Sequence, residues 1–179
     1  MVHKYSIESI QRKKSGFWRR WLTRWLIARL RIKSVEIRTY IIQALGKVGD
    51  EAALPVILNA AKDTDSTIRR FAVSALADQR DTRSVDALIL ALDDTENDIR
   101  ATAAISLGLL GDEKAENALL EILKDEDITV RSQAVIALGH IGSSKALNIL
   151  DQMVFTEPNE WIRRYISQAI LEIKGGFYS

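Results

Sequence analysis

Apolar residues along this chain fall three and four apart, the period of one face of an α-helix, and these clusters themselves recur. An aliphatic residue followed by Arg stands at Ile37-Arg38, Ile68-Arg69, Ile99-Arg100, Val130-Arg131 and Ile162-Arg163, at spacings of 31, 31, 31 and 32 residues. Seven residues after each Arg comes another apolar position: Leu45, Leu76, Leu107, Leu138 and Ile170. Small residues such as Ala103, Ala104 and Ala134 lie between. Three of these segments end in Leu-Gly-x-x-Gly followed by Asp50, Asp112 or Ser143. Glycine tolerates the left-handed conformation that closes a helix, and the Asp or Ser beside it can cap the next one. A second apolar segment follows each turn, through Leu54/Ile57/Leu58, Val85/Leu88/Ile89, Leu119/Ile122/Leu123 and Leu147/Leu150/Met153. The predicted unit is helix A, tight turn, helix B and a short acidic loop. Neither helix can bury its apolar face alone, so stacking of units must supply the core.

Two places break the pattern. Ala77-Asp78-Gln79-Arg80 replaces the Gly-x-x-Gly turn, which requires Arg80 to take a strained positive φ or the turn to change shape. One extra residue precedes Trp161, near Pro158, and predicts a bend or altered stacking there.

The recurring aliphatic-Arg pair, Leu-Gly-x-x-Gly-Asp and Leu-x-x-Leu-x-Asp resemble the phycobilisome-lyase type of HEAT-like repeat. The resemblance implies an all-α, right-handed solenoid of the HEAT-like/armadillo type, with about four two-helix repeats, an N-terminal cap helix and a closing A helix. It divides the chain into a basic, Trp-rich segment (1–33), the repeat array (34–173) and a tail (174–179). It also implies a structural ladder in which an acidic residue pairs with the Arg six positions later: Asp63 with Arg69, Asp94 with Arg100, Asp125 with Arg131 and Glu157 with Arg163. By the same resemblance the B helices line the concave face. Their outward row would be Asp86, Leu90, Asn117, Glu121, Asn148 and Gln152, a polar and mildly acidic surface suited to a protein partner. An acidic groove argues against nucleic acid.

Charge changes the picture at one end. Residues 1–48 hold twelve Lys/Arg against Glu8 and Glu36, while the remainder carries an excess of Asp and Glu, so a net charge of +1 conceals a basic head on an acidic body. Such a head is expected to meet an anionic surface. A helix predicted over about Ser15 to Lys33 puts Phe17, Trp18, Trp21, Trp25, Ala28 and Ile32 on one face, with Arg20, Arg24 and Arg31 on a flanking stripe. As a cap, this helix is expected to bury Trp21 and Trp25 and leave Trp18 outside. As a basic aromatic amphipath, residues 12–33 could instead bind anionic lipid or a partner helix. Its arginines interrupt the only candidate for a membrane span.

The chain has no Cys, hence no disulfide, thiolate metal site or thiol nucleophile, and a reducing, cytoplasmic setting is expected, with the membrane surface as a peripheral option. His3 and His140 are far apart, and the acidic clusters Asp93-Asp94 and Asp125-Glu126-Asp127 lack the glycine and closing glutamate of a calcium loop. No metal, cofactor or catalytic residue is therefore expected. The predicted function is a non-enzymatic scaffold that binds another protein. The family resemblance adds a different class, a subunit of a phycobilin lyase or chromophore-detaching protein.

Overall fold

A computed structural model describes residues 7–32, 34–79 and 81–175, with side chains from Gly16 onward. His3, Arg80 and the tail beyond Gly175 lie outside the described residues. The described chain is helical throughout: α1 (Ile7–Arg29), α2 (Val35–Val48), α3 (Leu54–Ala60), α4 (Ser66–Gln79), α5 (Thr82–Ala91), α6 (Asn97–Leu110), α7 (Glu116–Ile122), α8 (Ile128–Ile141), α9 (Ala146–Thr156) and α10 (Glu160–Ile173). The A helices are α2, α4, α6, α8 and α10; the B helices are α3, α5, α7 and α9. Consecutive A helices pack side by side, and each B helix packs against the A helix that follows it. The architecture is an α-solenoid.

The helix ends follow from local chemistry. Asp127 Oδ1 accepts the N–H groups of Thr129 and Val130 at 2.8 and 3.1 Å, and Asn159 and Asp65 do the same for α10 and α4. Gly49, Gly111 and Gly142 close α2, α6 and α8 with φ of 61°, 65° and 75°. A polar residue then opens each B segment: Asp50, Asp81, Asp112 and Ser143, each holding the N–H of a residue two or three positions on.

Between the rows, the aliphatic members Ile68, Ile99, Val130 and Ile162 and the leucines Leu45, Leu76, Leu107 and Leu138 are all but fully buried. They pack with Leu54, Leu88, Leu119 and Leu150 from the B helices in one continuous core. Truncation of such a leucine to Ala costs about 2–5 kcal/mol. Ser84 departs from this logic. Its counterparts in the other repeats are Ala53, Ala115 and Ala146, all buried, and the Ser84 hydroxyl has no hydrogen-bond partner.

The extra residue before Trp161 does not disturb the stacking. It is absorbed by extending α9 to Thr156, and α10 still packs on α8 with Ala169 against Gly139. The altered turn after α4 finds a different use: Gln79 Nε2 donates to Leu45 O and Gly46 O at 3.1 and 3.2 Å, capping the neighbouring α2.

Candidate functional site: the arginine ladder and two exposed faces

The recurring arginines form a ladder, but with a different pairing from the one expected. Each Arg reaches forward to the carboxylate of the next repeat: Arg38 to Asp63, Arg69 to Asp94, Arg100 to Asp125 and Arg131 to Glu157. The residue six positions back supplies its main-chain carbonyl instead. Arg69 donates to Asp63 O and Thr64 O, Arg100 to Asp94 O and Thr95 O, Arg131 to Asp125 O and Glu126 O, and Arg163 to Glu157 O and Pro158 O. Arg69, Arg100 and Arg131 thus each tie their own incoming loop to the loop of the following repeat. Each carboxylate also accepts an N–H two residues on, as Asp125 Oδ1 does from Asp127 at 2.8 Å. The hydrogen bond from Arg100 holds the Asp125 carboxyl below its ordinary range against the opposing effect of burial, and Arg69 acts likewise on Asp94. Glu157 sits one position later than the aspartates and its longer side chain keeps the fourth rung in register. Bidentate pairs sunk between loops are joints of the array, not a free anion-binding track.

The spacing of the rows corrects the expectation about the concave face. A β-carbon added to Gly46 would lie 2.9 Å from Ala75 Cβ, and one on Gly108 would lie 2.9 Å from Ala137 Cα. Glycine against alanine lets the A helices approach almost backbone to backbone. No two B helices come comparably near each other. In a bent stack the row with the closer spacing lies on the inside, so the A row is the concave one and the B row the outer one. The residues proposed for the concave face, Asp86, Leu90, Asn117, Glu121, Asn148 and Gln152, are all exposed, but on the outer row. Asp86 pairs with Lys114, and Glu121 with Lys124. Asn117 and Glu121 join Leu120, Ile149 and Met153 around an open groove of about 560 Å³ between α7 and α9.

The inner face comes from positions −1, +3, +6 and +10 relative to the aliphatic member of each Ile/Val-Arg pair. It presents Tyr40, Ile105, Leu109, Trp161 and Tyr165, all exposed, together with the half-buried Phe71. The Arg70 and Arg164 guanidinium groups lie 4.6 and 4.9 Å from the Phe71 and Trp161 ring centres. A hollow of about 430 Å³ opens beside Lys47, Ala77, Asp78 and Leu109, where Ala77 stands in place of the helix glycine found at Gly46 and Gly108. The close Gly–Ala contacts were the sequence signal for this face, since only a near approach of backbones requires them.

The third surface is α1, and here too the expected burial is reversed. Leu26 and Thr23 are buried and Ile27 and Leu30 half-buried against the array, with Thr23 Oγ1 donating to Arg19 O at 2.9 Å. Arg19 turns toward Asp50, 3.9 Å away. Phe17, Trp18, Trp21 and Trp25 point the other way and are 66%, 60%, 49% and 42% exposed. Trp21 and Trp25 are therefore not the capping contacts. Arg31 and Ile32 follow the end of the helix, which begins earlier than expected, at Ile7.

Among the described residues, no three His, Cys, Asp or Glu side chains converge as metal ligands, and His140 is exposed. No described helix is long and apolar enough to cross a membrane. The family model for HEAT repeats matches residues 23–104 and 85–171. The chain belongs to the HEAT repeat family. No curated protein sequence matches it. Among solved structures, this HEAT-repeat chain is similar to the complex of CpcE and CpcF of phycocyanin lyase from Nostoc sp. PCC7120, at 24% identity and a TM-score of 0.75 over 86% of its length; it spans 65% of that chain. It is also similar to an engineered protein, at 20% identity and a TM-score of 0.63 over 86% of this chain and 79% of that one. Computationally designed armadillo repeat proteins for modular peptide recognition match at 15% identity and a TM-score of 0.59, over 82% of this chain and 80% of theirs. At these identities the likeness shows the fold alone.

Proposed function

We propose that this HEAT-repeat chain is a non-catalytic scaffold that holds another protein against the inner face of its A helices. The observation that carries the reading is the row of exposed aromatic and aliphatic side chains on that face, led by Tyr40, Leu109, Trp161 and Tyr165. Aromatic residues flanked by arginine are the composition of protein-binding hot spots. The ladder keeps the A helices in fixed register, so the row is presented pre-organised and loses little entropy on binding. The test is capture of the partner by the full chain and by the triple variant Tyr40→Glu, Leu109→Glu, Tyr165→Glu. The proposal expects the variant to keep its helical melting curve and lose at least tenfold in affinity. Undiminished capture would place the partner elsewhere, with the outer α7/α9 groove the next surface to test.

The likeness to the phycocyanin lyase complex favours one second reading, in which the chain is a subunit of a two-component lyase acting on a bilin-bearing protein. Its test is a bilin-dependent absorbance change when the chain, a companion HEAT-repeat subunit and an apo-phycobiliprotein are mixed. A source organism without phycobilisomes would end that reading and leave the scaffold reading intact.

A further inference from the structure

The end of a solenoid needs a helix that covers the first repeat and shows water a polar outer face. Helix α1 does the first and not the second. Its packing side is Thr23, Leu26, Ile27 and Leu30, and on nearly the opposite side it carries Phe17, Trp18, Trp21, Leu22 and Trp25, all exposed. The aromatic rings contact one another: Phe17 and Trp18 meet edge to face at 6.0 Å, and Trp18 and Trp21 at 5.9 Å. Arg29 lies 4.4 Å from the Trp25 ring centre. Arg20 and Arg24 are exposed along one border of this face, and Arg31 is exposed just beyond the helix. Between Gly16 and Ile32 there is no carboxylate at all, whereas the rest of the chain is net acidic.

We infer that α1 is an interfacial helix, which lies along an anionic lipid surface with its tryptophans at headgroup depth while its other side holds the array. Two features select a lipid surface over a protein groove. Indole rings prefer the membrane interface, where one part of the ring is apolar and the other is wet. The flanking charge is uniformly positive, which complements anionic headgroups and is separate from the acidic remainder of the chain. Because the aromatic face points away from α2, the helix can settle on a plane without leaving the solenoid.

The full chain with Trp161→Phe, so that its remaining tryptophans lie in α1, is titrated with vesicles of phosphatidylcholine alone and with about one third phosphatidylserine. The inference expects co-sedimentation and a blue shift of tryptophan emission only with the anionic vesicles, both weakened by salt. Neutralising Arg20, Arg24 and Arg31 to Gln should lower partitioning by on the order of a hundredfold. Trp18→Ser with Trp21→Ser should abolish it while the helical melting curve is kept. Binding that ignores salt and the arginine variant would overturn the inference. So would a blue shift without vesicles that grows with protein concentration, which would mean that a second copy covers the face. A protein ligand lost in the Trp variant while vesicles go unbound would overturn it equally.

Discussion

The guanidinium of Arg100 grips the carboxylate of Asp125 with two bonds, Nε to Oδ2 at 2.7 Å and Nη2 to Oδ1 at 2.9 Å, while its Nη1 holds the main-chain oxygen of Asp94 at 3.0 Å. The two side chains are only 13% and 8% exposed. Two successive loops are therefore joined through one side chain, which makes this pair the most informative place to probe how the array holds together.

Asp125→Asn leaves a charged guanidinium in a site that excludes most water. Uncompensated buried charge is strongly destabilising, and for this partly buried pair a loss of about 2–4 kcal/mol is expected. The same change at Glu121, whose pair with Lys124 is exposed, should move stability by less than about 1 kcal/mol. Urea denaturation of both variants checks the contrast.

The ladder also sets the acid limit of the fold. Asp94 and Asp125 titrate below their ordinary range because Arg69 and Arg100 bond their ionised forms. A depressed native-state pKa gives stability that is fully present above the unfolded-state value near 4 and is lost as pH falls through the native value. The urea midpoint should stay level from pH 7 to about 5 and then drop steadily below about pH 4. Asp125→Asn should flatten part of that drop; an equal slope in wild type and variant would contradict the assignment.

Why this pairing was not legible in the sequence is a matter of arithmetic on the repeat. Each of Asp63, Asp94 and Asp125 stands six residues before one Arg and 25 after another, and the two offsets sum to the 31-residue period. Spacing alone cannot tell which partner receives the carboxylate; only the stacking of one loop on the next decides it. The helices, their glycine and Asp/Ser termini and the core leucines were legible, because each depends on local backbone chemistry or on period. The orientation of α1 was not. Periodicity found the aromatic face, but the face that packs is the less conspicuous one of Thr23 and Leu26. Likewise the inner row was hidden behind the labels A and B until the contacts of Gly46, Gly108 and Gly139 showed which helices lie close together.

Two glycines in helix interiors should respond in opposite directions to alanine. At Gly16 an added β-carbon meets nothing within 4 Å, so Gly16→Ala should stabilise α1 by about 1 kcal/mol through helix propensity. At Gly108 the same carbon would sit 2.9 Å from Ala137 Cα and 3.0 Å from its Cβ. Overpacking of about 1–3 kcal/mol should exceed the propensity gain there. Thermal melts of the two variants should shift in opposite senses.

Ser84→Ala should be stabilising. It removes a buried hydroxyl without a partner and restores the residue present in the other three repeats. Relief of the unsatisfied group is worth about 1 kcal/mol or more, and a raised melting temperature is the readout.

The central claim is that partners are held on the A-helix face. Site-specific photo-crosslinking tests it most directly, with a photoreactive phenylalanine derivative placed singly at Tyr40, Leu109 and Tyr165 on the inner row and at Leu90 and Gln152 on the outer row. Crosslinks to one and the same protein from the three inner positions, and none from the outer two, are the predicted result. Crosslinks from Leu90 or Gln152, with the inner positions silent, would contradict it.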